Sequence, residues 1–417
     1  MKTRTLLWTV VSVLAAAGAV WWLWRPQTIT LDDGTKLKLV AVTYGKLHNF
    51  PGEQHQSLAF ESTNDTLAVW IEQKHTTNDW PNYQIYACDK SATACVGAYS
   101  QNTRQLRRGG EGMVGILLDA FPRRQGKFYL RVLEWNPQNG RQTIKNGFVI
   151  SNPARGHFPA WFPDPLPNTQ VDDDLSVTLT RLEFGAKSPF TRNPNAKNDP
   201  MNKGVLAAFQ IQQNGKTATN WQPAQVETSD ATGNHITGWC NSHWENDEEV
   251  TLYQYGLWPD EPAWKLRFEF SRTSGFHADE LWTVQNVPLE PGCQQDLWNF
   301  VRRDQTNSAF AETTLNGFHL KLFPAKQFTD QRNMRGSIEG GLAVQTDLPL
   351  DGMRLTLIEA TDDQGHKIKP MTWSWGGTDF RFGLQELGSA RSLNLTLALH
   401  RSRFVEFTAK PQRAAAK

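Results

Sequence analysis

The chain has 417 residues, with 43 Lys+Arg against 42 Asp+Glu and a formal net charge of +1. That balance excludes a nucleic-acid binder held by bulk charge, which carries a basic stripe or patch. A hydrophobic share of 39% with 20% charged residues is too apolar for a disordered chain and too polar for a multi-span membrane protein.

The N-terminus reads as an export element. Lys2 and Arg4 precede an uncharged run from Thr5 to Trp24, which Arg25 and Pro26 end. As a helix, residues 5–24 would span the ~30 Å hydrocarbon core of a bilayer. Trp21, Trp22 and Trp24 stand at the far end, where aromatic rings prefer headgroups. Residues 1–26 are thus expected to anchor the chain in the cytoplasmic membrane as a single pass. The N-terminus would lie inside, and the body would be periplasmic or extracellular. The alternative is a signal peptide cleaved near Ala15-Ala16-Ala17. The apolar run continues past that point, which favours the anchor.

An internal repeat sets the expected architecture. Leu31–Phe50 and Val171–Phe190 align without gaps, with Asp32/Asp172, Asp33/Asp173, Leu39/Leu179, Gly45/Gly185 and Phe50/Phe190 identical. In both copies the apolar alternation shifts by one residue after Leu39 and Leu179, which predicts a β-bulge at the same place. Phe128–Val132 matches Trp264–Phe268, and Leu393, Leu395, Leu397 and Leu399 alternate in a third such strand. Each is followed by a short apolar strand and a proline: Pro153, Pro288 and Pro411. Glu227–Ile236 matches Glu359–Ile368, and Gly317–Leu322 opens the third copy. Asp32-Asp33-Gly34, Asn139-Gly140 and Asn214-Gly215 are turn signals.

The expected fold is therefore all-β: three tandem antiparallel, immunoglobulin-like sandwiches after one N-terminal transmembrane helix. The sandwiches cover 27–153, 169–290 and 313–411. A proline-rich linker at 154–168 and a second linker at 291–312, with a short helix near Gln294–Asp304, join them into a semi-rigid rod. Residues 412–417 form a disordered tail.

Chemical motifs are sparse. Gly215-Lys216-Thr217 is no phosphate loop, because position 210 is Gln210. His235 and His243 near Asn246–Glu249, and the Asp172–Asp174 triplet, are weak metal candidates, so no metal is assigned. No cofactor, catalytic residue or nucleic-acid partner is expected. Cys88 and Cys95 flank a short polar segment suited to a disulfide, leaving Cys240 and Cys293 to pair later. Seventeen tryptophans suggest ligand platforms at Trp239, Trp244, Trp373 and Trp375, outside the alternating strands, while Trp264 and Trp282 belong in the core. Asp279-Glu280 is a carboxylate pair that a hydrolase could use.

The repeated strands and single N-terminal span resemble bacterial single-pass surface or periplasmic proteins with tandem immunoglobulin-like domains. That resemblance implies binding, adhesion or scaffolding toward a protein or envelope polysaccharide. Carbohydrate binding, and a hydrolase with carboxylates in middle-domain loops, are the alternatives.

Overall fold

The computed structural model describes residues 27–50, 59–74, 83–89, 95–97, 103–108, 111–135, 142–154, 156–187, 203–239, 241–245, 248–254, 256–293, 309–328 and 338–414. They are all-β, with one 3-10 turn at Ala278–Glu280 among the long ladders. The first run comprises β1 (Thr28–Thr30), β2 (Lys36–His48), β3 (Phe60–Lys74), β4 (Tyr83–Cys88), β5 (Cys95–Gly97), β6 (Thr103–Arg108), β7 (Glu111–Leu118), β8 (Lys127–Trp135) and β9 (Gln142–Ser151). The second comprises β10 (Asn168–Asp172), β11 (Leu175–Lys187), β12 (Lys203–Gln213), β13 (Lys216–Thr217), β14 (Trp221–Asp230), β15 (His235–Trp239), β16 (Asn241–Trp244), β17 (Val250–Gln254) and β18 (Trp264–Arg272). The third comprises β19 (Leu281–Gly292), β20 (Ala311–Leu315), β21 (Phe318–Leu322), β22 (Ala325–Phe328), β23 (Gly340–Thr346), β24 (Met353–Asp362), β25 (Lys367–Gly376), β26 (Asp379–Gln385), β27 (Ser392–Arg401), β28 (Arg403–Ala409) and β29 (Gln412–Arg413).

One strand order recurs. The first run gives the sheets β1-β2-β3-β7-β6 and β5-β4-β8-β9. The second gives β10-β11-β12-β17-β16 and β15-β14-β18, with β28 completing the latter. The third pairs β20-β21-β23-β26-β25 and continues β25-β24-β27-β19. Because β25 serves both sheets and β22 pairs β19, the seven strands β23, β22, β19, β27, β24, β25 and β26 close into a barrel. Closure leaves no exposed edge among them.

The alternation that marks the sequence copies sets these sheets. Leu175, Val177 and Leu179 point inward, and the register then breaks between Leu179 and Arg181. The first copy breaks between Leu39 and Ala41. A second break follows Gly45 and Phe184, where Gly45 (φ +135°) and Gly185 (φ +83°) adopt backbone that an L side chain resists. Asn214-Gly215, with φ 52° and 75°, forms the β12–β13 hairpin turn. Asn139-Gly140 lies outside the described residues.

Several sequence expectations change. The segment after Trp135 and the region 294–308, with its expected short helix, lie outside the described residues. The supposed linker 291–312 is partly strand: Pro291–Gly292 belongs to β19, and Ala311–Glu312 to β20. Residues 403–409, counted with the third sandwich, pair instead with β18 of the middle one. Residues 412–413 are not a loose tail, for they run parallel to β11, Glu183 opposite Gln412. The rod is corrected too. One hydrophobic core runs from Leu31 through Phe128 and Phe209 to Ala409, so the first two sheet pairs share their interior despite the proline-rich stretch. A second core spans Trp282 to Leu399. The stretch 5–24 lies outside the described residues, and among those described no helix is long and apolar enough to cross a membrane. The expected anchor, and the membrane location and exported body that rested on it, are therefore withdrawn.

A buried arginine fastens the first sheet pair to the second. Arg123 donates from Nε to Asn234 Oδ1 (3.0 Å), from Nη1 to Thr232 O (3.2 Å) and from Nη2 to Asp65 O (2.6 Å). Its guanidinium lies 4.9 Å from the Phe121 ring centre. Desolvation lowers its pKa, and the hydrogen bonds offset the cost of burial. Asn234 sits in the β14–β15 turn, where Asp230 Oδ1 accepts from the Thr232 and Asn234 amides at 2.8 and 3.2 Å. The third copy repeats this device: Asp362 Oδ1 accepts from the Gln364 and His366 amides at 2.9 and 2.7 Å. That is the physical content of the Asp and Gly shared by Glu227–Ile236 and Glu359–Ile368: an aspartate that ties its own turn.

Candidate functional site

A cleft of about 640 Å³ opens between the outer face of β14, β18 and β28 and the near side of the third sheet pair. Alternation builds its first wall. Leu266, Phe268 and Phe270 fill the core, so Arg267 and Glu269 must project outward, as does Glu227 on β14. Phe404 of β28 joins them. The opposite wall comes from the turn Pro349–Gly352, from Met353 and Arg354 at the start of β24, and from Phe380 and Phe382 of β26.

Two ion pairs stand at different depths. Deep in the cleft, Glu269 Oε1 accepts from Arg354 Nη1 at 3.2 Å and from the Ser402 hydroxyl at 2.6 Å, with both charged side chains less than a fifth exposed. Nearer solvent, Arg267 Nη1 lies 3.4 Å from Glu227 Oε1. The Arg267 guanidinium lies 4.4 Å from the centre of the Phe404 ring, a cation–π arrangement. The result is a slot of alternating charge with aromatic and aliphatic surface between the charges. Such a slot hydrogen-bonds hydroxyls, amides or carboxylates at its rims and packs an apolar face between them.

Beside it, on β27, His400 is fully buried against the Phe276 ring (5.0 Å between centres). Desolvation, with Arg272 and Arg354 adding to it, lowers its pKa to about 4.

The aromatic residues singled out in the sequence distribute unevenly. Trp239 stands opposite Gln225 in the β14–β15 register, and Trp375 opposite Phe380 in the β25–β26 register, and neither is among the residues lining the cleft. Trp373 falls at the register break between Thr372 and Ser374. Trp244 is half-buried on β16, in the other sheet, packed against the large core. Trp264 and Trp282 are buried. The acidic candidates have structural partners. Asp173 and Asp174 each take an Arg403 amino group at 3.2 Å, and Asp174 also accepts from Gln213. Glu280 pairs with Arg272 and accepts the His277 amide at 2.8 Å. His235 lies on β15 and His243 on β16, in different sheets. Among the described residues no three His, Cys, Asp or Glu are grouped to hold a metal. Cys88 faces Cys95 in register on β4 and β5. Cys240 lies outside the described residues, and Cys293 is half-buried just beyond β19.

Sequence reasoning missed Glu227, Arg267, Glu269, Arg354 and Phe404. The outward phase of β14 and β18 was readable from the apolar alternation. What packs over that face was not.

No protein-family model matches the chain. No curated protein matches it in sequence. Among solved structures, it is similar over 62% of its length to 80% of a conserved domain protein from Bacillus anthracis, at 9% identity and a TM-score of 0.25. It is similar over 55% of its length to 62% of a fragment of S. aureus TarS, at 7% identity and a TM-score of 0.13. Likenesses this slight carry no functional argument.

Proposed function

We propose that the protein is a non-catalytic binding or scaffolding protein that seats its partner in the cleft between the middle and third sheet pairs. The observation that carries this reading is the cleft itself: two arginine–carboxylate pairs and the Phe404 and Phe380 rings converge on one slot. Its walls are strands rather than long loops, so the slot is formed before a partner arrives. Its carboxylates are held by arginines, an arrangement suited to recognition. We further propose that the chain is built from three immunoglobulin-like units, which the thrice-repeated strand order supports. A disulfide joining Cys88 to Cys95 fits their opposed register.

A polysaccharide is the partner class favoured by a specific observation. The rings of Phe380, Phe382 and Phe404 line the slot between its two arginine–carboxylate pairs. Sugar rings offer an apolar face and a hydroxyl rim, which match rings and charged groups side by side. Titration calorimetry of the full chain against envelope oligosaccharides tests this. We expect binding that weakens at least about tenfold in Phe404→Ala and in Arg267→Ala, with melting temperature unchanged. Binding untouched by both variants overturns the carbohydrate assignment. A partner protein whose capture survives Phe404→Ala and Arg267→Ala overturns the cleft as the site.

A further inference from the structure

In the first unit the last two strands form a hairpin, β8 against β9, with Phe128 opposite Ile150 and Leu130 opposite Phe148. The later units contain the same consecutive strands, β18 then β19 and β27 then β28. Neither succession pairs with itself. β18 takes β28, and β19 takes β27.

Register shows that the two slots are equivalent. Asp230 stands opposite Trp264, and Asp362 opposite Leu393, and both aspartates tie the same kind of turn. Counting on from these, Phe268 corresponds to Leu397 and Arg267 to Thr396. Their partners are Val405 and Glu406 in one slot, and Trp282 and Thr283 in the other. Each incoming strand then runs on, parallel to a strand of the neighbouring sheet: Gln412–Arg413 along β11, and Leu289–Gly292 along β22. The cores agree. Val405, Phe407 and Ala409 are buried in the first, and Trp282, Val284 and Val287 in the second.

We infer that the middle and third units have traded their closing strands, and that the edge of β18 is a strand-binding groove whose occupant is this chain's own segment 403–413. Chain connectivity explains the direction of the trade. Only Ser402 separates β27 from β28, too short a link for a hairpin, which needs about two loop residues. The strand after β27 therefore runs out of the third unit into its neighbour. Residues 273–280 separate β18 from β19, enough for a hairpin of the first unit's kind, yet β19 leaves. The groove grips its occupant beyond the ladder. Arg403 meets Asp173 and Asp174, Lys265 meets Glu406 at 3.2 Å, and the Phe407 ring packs 6.1 Å from Phe268. The Asp172–Asp174 triplet, which reads in the sequence as a turn or an ion site, thereby gains a role as the clamp for this strand. The trade also forms the cleft, since Phe404 of the traded strand faces Met353 and Arg354 beside β27.

Paired cysteines in the full chain test the trade. Arg267→Cys with Glu406→Cys, and Thr283→Cys with Thr396→Cys, should each oxidise to an intrachain cross-link in a monomer, located by peptide mapping. Arg267→Cys with Thr283→Cys, opposed only in an untraded hairpin, should stay reduced. Formation of that third cross-link overturns the inference. So does a covalent dimer as the sole product of the first pair, which would move the trade between two copies. Native-state hydrogen exchange on the unaltered chain gives a second reading free of substitutions. The amides of β28 and β19 should open together as one cooperative unit. Opening of the β19–β27 ladder more than about tenfold apart from the β18–β28 ladder overturns it.

Discussion

The two junctions of this molecule are made in opposite ways. Between the first and middle units the chain crosses once, and side chains do the joining: a shared core, with Arg123 buried in a turn of the neighbouring unit. Between the middle and third units the cores stay separate, and the backbone does the joining, since β19 and β28 each close the other unit's sheet. The repeated aspartate turn makes the contrast concrete. In the middle unit it presents Asn234 to Arg123 and is buried. In the third unit the corresponding His366 side chain is 71% exposed. The first junction is filled by side chains. A junction crossed by strands can leave a cleft between its two bodies, and this one does.

The sharpest way to break the comparison is to empty the traded strand's anchor. Phe407→Ala removes a ring that packs against Phe209 and Phe268, and it should cost about 3–5 kcal/mol. The loss should appear as unfolding of the middle unit, although residue 407 follows the third unit in sequence; chemical denaturation followed by hydrogen exchange on β14 and β18 measures it.

Acid should weaken the second junction more than the first. The unfolded chain takes up a proton near pH 6.5 that native His400 refuses until about pH 4. Stability should therefore fall as pH drops through that window and level out beneath it, by up to about 3 kcal/mol. Urea titrations from pH 4 to 7 should show a shallower slope in His400→Leu than in the parent. An unchanged slope would remove His400 from the account.

The smallest effect belongs to the first junction. Arg123→Ala leaves Asp65 O and Thr232 O without that donor, and it should cost about 2 kcal/mol by thermal denaturation. Arg123→Lys should recover little of it, because one ammonium cannot reproduce three diverging guanidinium bonds.

How much of this was legible beforehand divides along a physical line. Alternation of apolar residues fixed the strands, their inward faces and the bulges after Leu39 and Leu179, because each depends on near neighbours in the chain. The shared Asp and Gly of the two turns were visible for the same reason. The candidate site was hidden. Glu227, Arg267 and Glu269 read only as solvated outward positions until a second body faced them.

What the amino-acid order determined by itself was the all-β character and a unit repeated along the chain, since local pattern selects strands and their phase. Tertiary structure alone decided which strand closes which sheet. A sheet edge accepts any strand of suitable alternation, and β9, β19 and β28 all qualify. The choice among them was made by what the pattern does not carry: the single residue between β27 and β28, and the pairing of Arg403 with aspartates more than two hundred residues away.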